Sequence, residues 1–184
     1  MATSGSRDFA LDVAEVIEEA YERCGIEIRT GYEAETARRS LNLMFAEWAN
    51  RGVNLWTVKL GTQALTTGTA TYSLSSTIAD LLEVVVRRDG VDLEVQRISR
   101  GEYQNQPNKA TQGRPSSFYF NRQTTPEINL WPVPENSTDV LRYYYVQRIE
   151  DADALVNDVD APFRFLPCMA SGLAYYLSVK RAPD

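Results

Sequence analysis

The side chains that enzymes most often use for acid–base or nucleophilic chemistry are thinly represented in this sequence. It contains no histidine, which removes the commonest general base, the commonest metal ligand and the usual pH-dependent switch. Serine and cysteine nucleophiles therefore have no imidazole to activate them. The sequence also has neither the GxxxxGK[ST] phosphate loop nor the GxGxxG dinucleotide-binding turn. We therefore expect no catalytic residues, no cofactor and no bound metal.

Carboxylates are the remaining candidates for chemistry. The chain has 25 Asp and Glu residues, so two of them could be chosen as the carboxylate pair that hydrolyses a glycosidic bond. None of them, however, lies in a recognisable cleft pattern. The acids of the first predicted helix recur at helical spacing, which favours a solvated or interface-forming polar face over a metal site or a catalytic site. A carboxylate-dependent hydrolase is kept as the alternative from a different class.

Composition and charge narrow the possible partners. The net charge is −6, and tight nonspecific DNA binding needs clustered Lys and Arg. No apolar run approaches the roughly 20 residues of a membrane span, and residues 1–8 lack the apolar core of a signal peptide. We therefore expect that the protein is produced in the cytoplasm and does not associate with a membrane. Cys24 and Cys168 lie in apolar helical patterns, which predicts two buried free thiols; a disulfide or paired metal ligands are the alternatives.

Two amphipathic helices are predicted before residue 55. The first runs from about Arg7 to Cys24 with Ser6 as its N-cap, and the second begins at the capping box Thr30-x-x-Glu33. The short connection between them predicts an antiparallel hairpin. Trp48, at the end of the second apolar stripe, is expected to be buried.

From Leu55 the apolar period changes to two, which indicates strands. Asp89-Gly90 predicts a type I′ hairpin that places Leu82, Val84 and Val86 on one face, with Leu93 and Val95 paired on the same sheet. Ser99-x-x-Glu102 is a second capping box and opens a short helix. Pro132 and Pro134 must end the strand that reaches Trp131, because proline donates no backbone hydrogen bond.

The fold class that these patterns predict is α+β, with a helical layer and an inserted antiparallel β region. A single domain is expected: a helical hairpin over residues 1–54, the β region over 55–150 with a short helix near 100–106, and a linker and C-terminal helix over 151–184. The last helix is predicted from Pro162 or Pro167 to Arg181.

The strand from Val140 to Ile149 is bulky on both faces, so both faces are expected to be covered. Tyr144 and Val146 share the second face, which either a helix of the same chain or a neighbouring subunit would cover. The triplet Phe118-Tyr119-Phe120 could stack nucleic-acid bases, but no basic cluster accompanies it, and core packing is favoured.

The order of several short motifs resembles the head-to-tail adaptor (connector) proteins of short-tailed bacteriophages, the podoviruses. The motifs cover most of the chain. They are Leu41-Asn42-x-Met44 with Glu47-Trp48, Tyr72-Ser73-Leu74, Asp89-Gly90, Gly113-Arg114-Pro115, Leu130-Trp131-Pro132-Val133-Pro134 and Gly172-Leu173-Ala174-Tyr175-Tyr176-Leu177.

This resemblance implies a structural virion protein without enzymatic activity. It implies a ring of about twelve copies at the head-tail junction that docks under the portal protein, contacts tail or nozzle proteins and surrounds duplex DNA during ejection without reading its sequence. A tail-tube or head-completion protein is the alternative within the virion. Such proteins often continue into a C-terminal tail that grips the portal; either this member lacks that tail or the sequence ending at Asp184 is shortened.

A ring is built from heterologous contacts, so one face of the subunit must complement a different face. Acids of the first helix are expected to contact arginines of the neighbouring copy. Tyr144, on the strand that is bulky on both faces, is a further candidate for this contact. The candidate interface residues are Glu15, Glu18, Glu19, Glu22, Arg38, Arg39, Arg87, Arg88 and Tyr144.

Overall fold

Along the chain, two α-helices precede the strands and one follows them, while a short fourth α-helix lies among the strands. The computed structural model describes residue 5 and residues 10–181. Within these residues the helices are α1 (Val13–Arg23), α2 (Gly31–Asn50), α3 (Arg100–Gln104) and α4 (Leu166–Arg181). The predicted α+β class is confirmed.

The chain forms two compact units. One comprises Met1–Trp56 and Ile149–Asp184, and the other comprises Thr57–Arg148. The first unit, called here the helical unit, contains α1, α2 and α4, and the second, the β unit, contains the strands and α3. The interpretation of the whole chain as one adaptor domain stays a prediction.

Reciprocal capping boxes begin three of the helices. Those at Thr30 and Ser99 are confirmed, each with the glutamate three residues later bonding back to the backbone. The predicted start of the first helix was too early, because residues 10–12 are not helical and a third box, Asp12 with Glu15, starts α1 at Val13. The predicted cap Ser6 lies outside the described residues.

The helical unit buries one apolar core between α1, α2 and α4. Gly172 lets α4 approach α2 closely, since a Cβ at this position would lie 2.6 Å from Met44 Sδ. Trp48 is only half-buried, which corrects the prediction that it is buried; it lies at the end of the core against Phe45 and Phe165, with ring centroids 6.3 and 6.4 Å away. The fully buried members include Val13, Val16, Ile17, Ala20, Tyr21, Ala37, Leu41, Met44, Met169, Leu173 and Leu177.

The expectation of two buried thiols was wrong. Both cysteines are free, but Cys24 is half-buried and Cys168 is exposed. Cys168 falls in the first turn of α4, on the side opposite the buried Met169 and Ala170, so the apolar pattern around it does not include it.

The β unit consists mainly of two four-stranded sheets that enclose a second core. The first sheet has the strand order β1-β10-β3-β4 and the second has β2-β8-β7-β5, while β6 and β9 form a separate pair. The strands are β1 (Val58–Ala64), β2 (Thr71–Ser73), β3 (Ile78–Arg88), β4 (Val91–Glu94), β5 (Gln96–Arg97), β6 (Gln112–Gly113), β7 (Ser117–Asn121), β8 (Glu127–Trp131), β9 (Val133–Pro134) and β10 (Val140–Gln147).

The predicted turn and strand end are both present. Asp89 and Gly90 have φ of 52° and 81°, as a type I′ hairpin between β3 and β4 requires. β8 ends at Trp131, which is followed by a cis bond to Pro132. Phe118 and Phe120 are buried in the core as predicted, whereas Tyr119 lies on the opposite face of β7 and stacks on Tyr103.

Two pairings depart from the predicted antiparallel region, since β5 pairs with β7 and β6 pairs with β9 in parallel. In each case a long stretch of chain lies between the partners, and such crossovers allow parallel pairing where a tight hairpin does not.

Leu82 and Leu93 do not join the buried face that the hairpin pattern predicted. Val84 and Val86 are buried, but Leu82 and Leu93 are each 44% exposed. A β-bulge in β3 causes the first departure, because Tyr143 is paired with Val84 while Tyr145 is paired with Leu81. Two residues of β3 therefore lie opposite one residue of β10, and Leu82 turns outward. Leu93 lies on the edge strand β4.

Gly61 makes room for an aromatic ring of the β-unit core. It is paired with Tyr143 across β1 and β10, and a Cβ at Gly61 would lie 2.5 Å from Cε2 of that ring. We expect Gly61→Ala to lower the free energy of unfolding by about 1–3 kcal/mol, because the buried ring has little space to move. Denaturant unfolding measures the change.

Gly31→Ala is the matched control for this prediction. Gly31 is the first residue of α2, and a Cβ added there would have no heavy atom within 4 Å, so alanine should cost nothing. A Gly61→Ala protein as stable as wild type would show that Tyr143 does not pack over β1.

Candidate interaction site

The four candidate acids of α1 differ in whether their carboxylates already have a partner within the chain. Glu15 is the capping residue, and its carboxylate accepts a 3.0 Å hydrogen bond from the Asp12 backbone N–H. Glu19 accepts a 2.8 Å hydrogen bond from Arg23 Nε. Glu18 and Glu22, one helical turn apart, are exposed and have no ion pair within the part of the chain that the structure describes. The capping role of Glu15 was missed, although Asp12-x-x-Glu15 has the spacing of a capping box.

These acids border a groove between α1 and the beginning of α4. The groove has a volume of about 520 Å³. Its apolar lining comes from Leu11, just before α1, and from residues at the beginning of α4, and Phe163, 63% exposed, forms one wall. The lining residues are Leu11, Glu15, Glu18, Glu19, Glu22, Arg23, Phe163, Leu166, Pro167 and Ala170.

Arg38 and Arg39 are neighbours in α2 with different surroundings. Arg38 donates to Glu35 Oε2 at 2.7 Å and to the Ala152 carbonyl oxygen at 3.1 Å, so it ties α2 to the segment before α4. Arg39 is exposed, and no ion pair to it occurs among the residues described.

Arg88 is held inside the β unit by two carboxylates. Its guanidinium donates to both oxygens of Asp139 at 2.8 Å and to Glu135 at 2.8 Å. The Asp139 side chain is only 1% exposed. The hydrogen bonds from Arg88 hold the pKa of Asp139 below its usual range, and burial opposes this shift. Sequence reasoning missed Asp139, because the partners lie 51 positions apart in the chain and leave no local signal.

Arg87 lies in a smaller charged cluster on the first sheet. It donates two hydrogen bonds of 2.6 Å to Asp92, its cross-strand partner in β4. Arg142 of β10 approaches the same carboxylate at 3.7 Å. The hydrogen bond from Arg87 lowers the pKa of Asp92. Arg87 and Arg88 therefore both have intramolecular partners.

Tyr144 lies in the middle of an apolar stripe on the outer face of the first sheet. It is 46% exposed and is directly paired with Leu60 of β1, which is 45% exposed. On its other side the bulge of β3 places Leu82, 44% exposed. The three side chains occupy adjacent strands about 4.8 Å apart, so the stripe is about 10 Å wide. We call Leu60, Tyr144 and Leu82 the outer stripe.

The arrangement therefore separates the nine candidate residues. Glu15, Glu18, Glu19 and Glu22 share the groove of the helical unit, and Tyr144 belongs to the outer stripe of the β unit. Arg38, Arg87 and Arg88 are paired within their own units, and Arg39 is exposed. Their assignment to a subunit interface stays a prediction.

Two further observations concern binding chemistry. In the described part of the chain, no group of three or more Cys, Asp or Glu residues is arranged to hold a metal ion. None of the helices among the described residues has the length and hydropathy needed to cross a membrane.

The exposed apolar stripe and the acidic groove are both surfaces of the kind that bind other proteins. The chain belongs to the SU10 adaptor protein family, whose model matches residues 11–183. The resemblance to bacteriophage head-tail adaptors is thereby confirmed, and the chain is a structural virion component that associates with other virion proteins. No curated protein matches the sequence.

Proposed function

We propose that this chain assembles into a ring of about twelve copies that joins the capsid portal to the tail and surrounds the DNA exit channel. The family match supports an adaptor role. The main observation in favour of a ring is the exposed outer stripe, which a neighbouring copy would cover. An apolar tyrosine-centred surface on a rigid sheet is the kind of surface that protein interfaces bury, because tyrosine contributes a large contact area at a small entropic cost.

The contact that closes the ring is heterologous, so the outer stripe packs against a different surface of the neighbouring copy. Arg39 is the candidate arginine that remains available for a neighbour, since Arg38, Arg87 and Arg88 are paired intramolecularly. The proposed contact is therefore mainly apolar, and salt should weaken it only moderately.

The proposed partners are the portal protein on one side of the ring and tail or nozzle proteins on the other. Duplex DNA passes through the channel without sequence-specific binding. The net charge of −6 per chain supports this part of the proposal, because each phosphate neutralised by Lys or Arg would add affinity and hinder sliding.

The test is to measure the native mass of the purified chain, alone and mixed with the portal protein of the same phage, and to image the mixture by electron microscopy. We expect a closed ring on the portal with a mass corresponding to about twelve chains. A chain that remains monomeric under both conditions would contradict the proposal.

A further inference from the structure

We propose that the groove between α1 and α4 binds a basic amphipathic segment of another protein. The groove combines an apolar lining with a row of carboxylates, which is the complement of a segment that carries Lys or Arg beside apolar anchors. Helix-in-groove recognition uses such an arrangement, with apolar side chains giving affinity and the charged rim fixing orientation.

The apolar part of the groove is formed mainly by the first turns of α4 and the residues before it, with Leu11 on the α1 side. Leu166 and Ala170 are buried at its base, while Phe163 stands 63% exposed beside them. An exposed phenylalanine next to a concave apolar base can be covered by an inserted side chain, which removes both surfaces from water.

The charged part of the groove follows α1. Glu15 and Glu22 are seven residues apart, about 10 Å along the helix axis, so the rim spans two helical turns. Glu18 and Glu22 have no ion pair in the described ranges, whereas Glu19 is paired with Arg23. Two carboxylates are therefore available for cations of a partner without breaking any contact within the chain.

A second copy of this chain offers few such cations, because among the described residues Arg39 alone of the four candidate arginines has no ion pair. Its net charge is −6, and many of its arginines are already paired. The described arginines with ion pairs are Arg23, Arg38, Arg51, Arg87, Arg88, Arg97, Arg122, Arg142 and Arg181. Charge complementarity therefore favours a basic segment of a different protein, which the proposed function identifies as a neighbouring virion component.

The experiment measures binding of a synthetic, fluorescein-labelled helical peptide of about 14 residues, four turns, with Leu on one face and Lys on the other. Fluorescence anisotropy at physiological salt reports its affinity for the purified full-length chain. We expect Glu18→Lys with Glu22→Lys to weaken binding at least about tenfold and Phe163→Ser to weaken it several-fold. Glu18→Gln with Glu22→Gln should give an intermediate loss.

The controls carry the same chemical changes at exposed positions outside the groove. Glu94→Lys with Asp151→Lys gives the same change in net charge, and Tyr32→Ser removes another exposed aromatic side chain. Both controls should bind the peptide within about twofold of wild type. Circular dichroism confirms that each variant is folded.

Three results would overturn the inference. If Glu18→Lys with Glu22→Lys and the control Glu94→Lys with Asp151→Lys lost peptide affinity equally, the attraction would be a diffuse one to an acidic surface. An unchanged affinity of the Phe163→Ser protein would show that the peptide does not bind in the groove. Loss of self-assembly on reversing Glu18 and Glu22, without any peptide, would make a second copy the occupant. The peptide measurement does not require a ring. Absence of peptide binding and absence of ring assembly are therefore separate results.

Discussion

Replacing Arg88 by Met should lower the free energy of unfolding by about 3 kcal/mol, the cost of leaving a buried carboxylate without its cation. Asp139 is only 1% exposed and receives two 2.8 Å hydrogen bonds from Arg88. Methionine keeps most of the side-chain volume but donates no hydrogen bond. Denaturant unfolding with a two-state fit measures the loss.

Two further variants isolate the cause of this loss. The double substitution Arg88→Met with Asp139→Leu should recover most of the stability, because the apolar pair leaves no buried carboxylate unpaired, and Glu135, which also loses Arg88, is 44% exposed. Arg87→Met, which removes an exposed pair with Asp92, should leave the free energy of unfolding within experimental error. A single Arg88→Met protein as stable as wild type would show that water reaches Asp139.

The same ion pair predicts a dependence on pH. The pKa of Asp139 is lower in the folded protein than in the unfolded chain. Its stabilising contribution is therefore complete above the unfolded pKa of about 3.9 and is lost as the pH falls through the folded pKa. The stability advantage of wild type over the single Arg88→Met variant should accordingly shrink in acid.

Replacing Tyr144 by Glu should prevent assembly of the proposed ring while leaving the subunit folded. A charge in the centre of the outer stripe would have to be buried without a partner, and a central tyrosine typically contributes about 2 kcal/mol or more, roughly thirtyfold in each contact. Because Tyr144 is 46% exposed in the subunit, the free energy of unfolding should change by no more than about 0.5 kcal/mol. Native mass and unfolding curves measure the two effects.

Tyr32→Glu is the matched control, since Tyr32 is 72% exposed in the first turn of α2. It should assemble as wild type does. If the Tyr144→Glu protein assembled into normal rings, the outer stripe would not be part of the contact between subunits. The family assignment would be unaffected.

Sequence reasoning succeeded where a structure is encoded locally. The capping boxes at Thr30 and Ser99, the Asp89-Gly90 hairpin and the strand end at Trp131 depend on residues within a few positions of one another. Local backbone chemistry decides such features before tertiary packing does.

Features that depend on distant residues escaped prediction. The exposure of Leu82 follows from a bulge opposite β10, and alternation along β3 alone cannot reveal it. The Arg88–Asp139 pair joins residues of two different strand ends, and the groove depends on α4 returning to α1. In each case the partner is chosen by the tertiary fold, so the residues themselves carry no spacing signal.

The pairing of β1 with β10 has a consequence for how this protein can be engineered and how it can diversify. Val58 and Val146 are direct partners, so the two chain crossings that bound the β unit leave from neighbouring backbone positions about 5 Å apart. A module whose two ends are adjacent can be grafted or exchanged through a single pair of junctions. We therefore expect that the β unit can be exchanged for that of a relative at 56/57 and 148/149 while the helical core retains its own sequence.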